Sequence, residues 1–168
     1  APSGRYDVLT VGSNTSCAIA EAPSRLPFCW GNDYSSNNLV DDTPVNEPLL
    51  DISLEHDHAC AVRFNGTPYC WGNTGNYDKG EPPDPFAIYT EIEAGRFFTC
   101  AKKPDNTLEC WGHASTHEYT TPPDGEFDQF DSAKEHSCAV TLGGASVECW
   151  GRNNRGEAPE FWYPPAAP

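Results

Sequence analysis

The chain has 168 residues, with 10 Lys and Arg against 25 Asp and Glu, a formal net charge of −15 at pH 7. That length suits one domain, and the charge excludes the clustered cations that a phosphate backbone or an anionic lipid surface selects. No run approaches the ~18 apolar residues of a membrane-spanning helix, and 16 prolines disfavour long helices in favour of short strands and turns.

In chain order, the sequence opens Ala1-Pro2-Ser3 and contains no Met, which reads as a mature chain after removal of a leader. A strand is expected over 6–11, where apolar and polar residues alternate. Asn14-Thr15-Ser16 is a glycosylation sequon. Cys17-Ala18-Ile19 follows, then a turn around Pro23, then Cys29-Trp30-Gly31. The second unit repeats the pattern: a strand over 50–54, Cys60-Ala61-Val62, a second sequon at Asn65-Gly66-Thr67, and Cys70-Trp71-Gly72. The third has a strand over 89–94, Cys100-Ala101-Lys102, the turn Pro104-Asp105-Asn106, and Cys110-Trp111-Gly112. The fourth has a strand over 127–131, Cys138-Ala139-Val140, Gly143-Gly144, and Cys149-Trp150-Gly151. Successive first cysteines are 43, 40 and 38 residues apart. A period near 40 admits helical repeats or propeller blades, and alternating runs split by turns favour blades. The expected fold is all-β, a four-bladed β-propeller forming one domain over 1–168. Its repeats are expected at about 6–49, 50–88, 89–126 and 127–163, with the Pro-rich stretches between them giving a short edge strand.

Eight cysteines suit disulfides in an oxidising compartment. Zinc sites use Cys pairs two to four residues apart, closer than any here. Gly143-Gly144 is a two-residue hairpin turn, which sets Cys138 opposite Cys149 and Val140 opposite Val147. Loops of compatible length set Cys17 opposite Cys29, Cys60 opposite Cys70 and Cys100 opposite Cys110. Directly opposed residues lie within disulfide reach. Four bridges within repeats are therefore expected: Cys17–Cys29, Cys60–Cys70, Cys100–Cys110 and Cys138–Cys149.

The pattern resembles the repeats of the regulator of chromosome condensation family, in which His and Cys-Ala precede a turn and then Trp-Gly-x-Asn. Unit two matches through His58-Ala59-Cys60-Ala61-Val62 and Cys70-Trp71-Gly72-Asn73. Unit four matches through His136-Ser137-Cys138 and Trp150-Gly151-Arg152-Asn153. Unit one has Thr15 at the His position, and unit three has Phe98 there and His113 at the Asn position. The resemblance covers residues 6–163. Family propellers commonly have seven blades, so this chain is expected to close as a small four-bladed monomer, with pairing of two chains into a larger ring as the alternative. The charge and the cysteines argue against the family's chromatin roles. Secreted members, a bacterial beta-lactamase inhibitory propeller and extracellular repeats of plant receptor kinases, bind proteins through loops on one face, and the resemblance implies the same here.

Trp30, Trp71, Trp111 and Trp150 are read as packing between blades, and His58 and His136 as structural hydrogen-bonding groups. The segments after each Trp-Gly differ most between units. Their aromatic and polar residues suit a stacking, polar ligand such as a glycan; Tyr34, Tyr77, His117, Tyr119 and Trp162 are the ligand-binding candidates. Asp33, Asn76, Asp78, Phe161 and Tyr163 accompany them. No serine-hydrolase, zinc-protease or phosphate-loop motif occurs. His113, His117 and Glu118 are the acid–base candidates if the protein is an enzyme. His56 and His58, flanked by Glu55 and Asp57, are weighed as a metal pair and set aside. The function read from the sequence is a secreted, extracellular binding propeller for a glycan or a protein. It is expected to need no cofactor, nucleic acid or membrane, and to carry glycans at Asn14 and Asn65. A glycan-active hydrolase or lyase with a His/carboxylate site in the central channel is the alternative, and an inhibitor or toxin-like role is third. The charge points to a neutral or cationic partner.

Overall fold

A computed structural model describes residues 3–32, 37–75, 78–113 and 119–159. The described residues form twelve strands in four three-stranded antiparallel sheets. Blade 1 contains β1 (Tyr6–Val11), β2 (Thr15–Ala20) and β3 (Pro27–Gly31). Blade 2 contains β4 (Leu49–Glu55), β5 (His58–Arg63) and β6 (Pro68–Gly72). Blade 3 contains β7 (Glu91–Ala94), β8 (Phe98–Lys102) and β9 (Leu108–Gly112), and blade 4 contains β10 (Phe127–Ser132), β11 (His136–Thr141) and β12 (Val147–Gly151). Each sheet is ordered as the chain runs, so the expected four-bladed all-β propeller is present. The Pro-rich stretches carry no fourth strand among the described residues.

The hairpin turns set the register. Gly143 and Gly144 both have positive φ, at 82° and 71°, as a two-residue hairpin turn requires. In blades 2 and 3 the left-handed position falls to Gly66 and to Asn106, with φ 86° and 66°; Asn is one of the few side chains that tolerate it. Each register pairs the two cysteines of its blade: Cys17 with Cys29, Cys60 with Cys70, Cys100 with Cys110, and Cys138 with Cys149. All four expected bridges are formed, and no cysteine is free.

Alternation gives every blade two faces. One carries the disulfide, and the other carries the Ala of the middle strand and the Trp of the outer strand. The disulfide face of one blade packs on the tryptophan face of the next. Cys17, Ile19 and Cys29 meet Ile52, Ala61 and Trp71. Cys60 and Val62 meet Ile92, Ala101 and Trp111. Cys100 and Cys110 meet Phe130, Ala139 and Trp150. These three joints are the core of the molecule, and burial of such apolar faces is the dominant favourable contribution to folding. Among the described residues no such core joins blade 4 back to blade 1.

The repeated tryptophans have a second role. The indole N–H groups of Trp71, Trp111 and Trp150 donate to the carbonyls of Leu39, Lys79 and Tyr119, at 2.9, 2.8 and 3.2 Å. Each acceptor lies 31 or 32 residues upstream, on the segment leaving the preceding blade. Each Trp thereby pins a connecting segment over the joint.

Candidate functional site

The two rims of the propeller are built differently. The lower rim carries the hairpin tips that follow the middle strands. The upper rim carries the turns between first and middle strands, together with the segments that follow each Trp-Gly. The glycine of Trp-Gly makes this rim possible. Gly31, Gly72, Gly112 and Gly151 all have positive φ, between 89° and 133°. A Cβ at these positions would lie 2.3–2.8 Å from the backbone oxygens of Asn14, Asp57, Phe97 and Glu135 respectively. The next residue then donates its N–H to that same oxygen, at 2.8–3.0 Å in all four blades. The rim segments therefore leave from four equivalent, anchored points.

Of the ligand-binding candidates, Tyr34, Tyr77, His117 and Trp162 lie outside the described residues, as do Glu118, Asp33, Asn76, Phe161 and Tyr163. Tyr119 is described, and its placement corrects the expectation for it. It is 4% exposed, and its ring stacks on Phe98 at 5.5 Å and on Phe97 at 6.5 Å. Its carbonyl receives Trp150. The joint between blades 3 and 4 takes its ring, so none is left for a ligand to stack on. His113 is half-buried and meets the edge of Phe97 at 6.2 Å. Asn14 and Asn65 are exposed; the Asn65 side chain accepts from the backbone N–H of Thr67 at 3.0 Å.

His58 is wholly buried in the joint between blades 2 and 3. Its Nε2 lies 3.1 Å from the Thr99 hydroxyl, and its Nδ1 is 3.6 Å from Asp57. Lys79, 1% exposed, donates to the same Asp57 carboxylate at 2.7 Å. Burial holds the His58 pKa below its ordinary value. Burial also opposes ionisation of Asp57, but the His58 and Lys79 contacts outweigh it and hold that carboxyl at about 2. This network takes the structural role read for His58. His56, by contrast, points to solvent, and among the described residues no three His, Cys, Asp or Glu side chains are grouped to hold a metal ion.

Two concavities reach the upper rim. The first, about 480 Å³, runs along the four inner strands and is lined by Thr10, Ser53, Glu55, Glu93, Asp131 and Lys134 among others. Among the described residues its lining holds no histidine, and the polar side chains it gathers are carboxylates, hydroxyls and Lys134. Burial pushes the Glu93 carboxyl up to about 8; the Ser53 hydroxyl, donating at 2.7 Å, opposes this, and Asp51, Asp131 and Glu91 reinforce it. The second is a groove of about 330 Å³ on blade 4, lined by Ala133, Lys134, Glu135, His136, Arg152, Arg155 and Glu157. Arg152 is paired with Glu135, whereas Lys134 is exposed and forms no ion pair among the described residues.

No protein-family model matches the chain. Solved structures do. The CRINKLY WD40 ectodomain of the Arabidopsis thaliana receptor kinase ACR4 superposes with a TM-score of 0.76 at 23% identity, over 92% of this chain and 52% of that one. The ectodomain of the Physcomitrella patens receptor kinase CR4 gives 0.73 at 25% identity, over 88% and 39%. Yeast RCC1 (Prp20) gives 0.68 at 14% identity, over 91% and 45%. The chain has an RCC1-like propeller fold. This RCC1-like propeller spans about half the length of the solved chains it matches.

Proposed function

We propose that the chain is an extracellular binding propeller that holds a glycan or a protein on its upper rim. The observation that carries this reading is the division of labour in the repeat. The disulfide, the Trp and the Gly recur in all four blades, and the three joints and four glycine anchors use them for architecture, while the upper-rim groove of blade 4 is lined by Lys134, His136 and Arg155, whose residue types the repeat does not fix. The likeness to two receptor-kinase ectodomains and the four bridges support an extracellular setting. The blade 4 groove, with Lys134 and Arg155, suits a carboxylate or sulfate group of the ligand, and overall charge alone does not show this. Screening against arrayed acidic and neutral glycans and against extracellular proteins tests the reading. Saturable binding that weakens in Lys134→Ala and Arg155→Ala supports it. Binding that those substitutions leave unchanged would place the ligand elsewhere.

One observation favours a second reading, a glycan hydrolase. Glu93, its carboxyl pushed up to about 8 and sharing one cavity with Asp131, has the character of a general acid. Release of reducing ends that is abolished in Glu93→Gln would support that reading over simple binding.

A further inference from the structure

The two end faces of the blade row are open. Leu9 is 66% exposed, yet its equivalents in the next three blades, Ile52, Ile92 and Phe130, are 2%, 0% and 8% exposed. Val11 is 68% exposed, whereas its equivalents Leu54 and Ala94 are 3% and 2%. Trp30 is half-buried and Phe28 is exposed, while Trp71, Trp111 and Trp150 are buried. Blade 1 thus presents an uncovered tryptophan face. Blade 4 presents the opposite: Cys138, Val140 and His136 are half-buried where Cys60, Val62 and His58 are wholly buried. This uncovered disulfide face forms a groove of about 410 Å³ lined by Gln129, Asp131, Cys138, Val140 and Val147 among others.

We infer that the disulfide face of blade 4 docks the tryptophan face of blade 1 in a second copy of this chain, and that two copies close an eight-bladed ring. The occupant is specified by the joint that the chain already makes three times. Polar groups match as well as apolar ones. In the joint between blades 2 and 3, Asp51 accepts from the N–H of Ile92 at 2.8 Å, and the Ser53 hydroxyl accepts from that of Ala94 at 3.0 Å. Between blades 1 and 2, the Thr10 hydroxyl likewise accepts from Leu54 N–H at 3.3 Å. The residues of blade 4 at the Asp51 and Ser53 positions are Gln129 and Asp131, both lining the open groove. The matching N–H groups in blade 1 belong to Leu9 and Val11. Gln129 and Asp131 are therefore placed to accept from Leu9 and Val11 of the other copy. The contact is head-to-tail, and a head-to-tail contact stops at a closed ring when its rotation closes. Eight blades lie within the four to eight usual for propellers. Each copy carries −15, so the joint is formed against repulsion that salt screens.

Light scattering and sedimentation of the oxidised chain over a broad concentration range test this. The expected result is a species of twice the 18.4 kDa chain mass that saturates at two copies, and whose dissociation constant falls as salt is raised. Leu9→Asp alters an exposed side chain, so the monomer keeps its fold and its thermal midpoint, and the dimer is lost. Phe86→Asp, at a residue 85% exposed on the segment between β6 and β7 and in neither blade 1 nor blade 4, is the control and keeps the dimer. A monomer at every concentration overturns the proposal, as does a dimer that survives Leu9→Asp. Growth beyond two copies overturns the ring. A dimer found only after deletion of residues 160–168 overturns it too, by assigning the face to the chain's own C-terminal segment. None of these outcomes depends on the upper-rim ligand.

Discussion

Lys79 is the most informative single position in the molecule. It occupies the slot that Leu39 fills one blade earlier and Tyr119 fills one blade later, and all three are at most 4% exposed. A buried ammonium is tolerated there because Asp57 receives it at 2.7 Å. Lys79→Ala strands Asp57, itself 18% exposed, with Asn73 and His58 as remaining partners. Breaking a buried pair from one side costs about 3–5 kcal/mol. Partial solvation of Asp57 and its other contacts place this case near the lower end, about 3 kcal/mol. Lys79→Leu with Asp57→Asn removes both charges and restores a side chain that the slot already accepts between blades 1 and 2. That double variant stays within about 1.5 kcal/mol of wild type. The backbone carbonyl that serves Trp111 and Thr99 survives in both. Urea denaturation at neutral pH with disulfides intact measures these differences. The pH dependence gives a second check. The Asp57 pKa is lowered to about 2, so its contribution is present above the unfolded value near 3.8 and is lost as pH falls toward 2. The double variant lacks that acid limb. A cost under about 1 kcal/mol for Lys79→Ala, the range of exposed pairs, would refute the reasoning. So would a double variant as unstable as the single one.

Three further outcomes follow from the same structure. In the dissociated monomer under graded thiol, Cys138–Cys149 opens first because both its residues lie on a half-buried face, while Cys60 and Cys100 are 0% exposed; timed alkylation and peptide mapping read the order. Gly112→Ala destabilises by at least ~1 kcal/mol, because φ is 121° and the new methyl would sit 2.6 Å from Phe97 O; thermal unfolding measures it, and an unchanged midpoint contradicts the anchor described for the upper rim. Glu93 has a folded pKa near 8, so its stabilising effect is full below the unfolded pKa of about 4.5 and is lost as pH rises through 8. Glu93→Gln should therefore flatten the loss of stability between those limits and raise stability at the alkaline end, as denaturation at several pH values shows.

The parts of this fold that were legible in the sequence are those in which a residue type is required by its own blade. Two glycines at 143 and 144 dictate a turn, and the turn dictates that Cys138 meets Cys149. The same logic holds for the other three bridges. Tyr119 was misread because its slot is defined by a backbone carbonyl. Leu39, Lys79 and Tyr119 share no side-chain chemistry, so the repeat is silent there. A faint signal existed in their spacing of 40 and in their constant distance upstream of a Trp. The contrast between Trp30 and Trp71 was not legible at all. Both stand in Cys-Trp-Gly, and what separates them is that among the described residues Trp71 packs against another blade and Trp30 does not.

The net charge looks uniform in composition and is not uniform in space. Among the described residues, seven of the ten cations are paired with a carboxylate: Arg5, Arg25, Arg63, Lys79, Lys102, Lys103 and Arg152. Several of these pairs serve the architecture. Arg25 reaches the carbonyls of Leu49 and Leu50 at the start of the next blade, and Lys102 reaches that of Asp128. The other three, Arg96, Lys134 and Arg155, all stand at the upper rim of blades 3 and 4, where the Arg96 N–H donates to the Lys134 carbonyl and Arg155 shares a groove with Lys134. Arg25, Lys79 and Lys102, spent on joints, cannot attract a ligand, whereas these three can. The same rim borders the carboxylate-lined inner cavity, so an approaching molecule meets a positive corner beside a negative hollow. A field of that form orients a ligand carrying both signs or an anionic end group, and its steering effect weakens with salt.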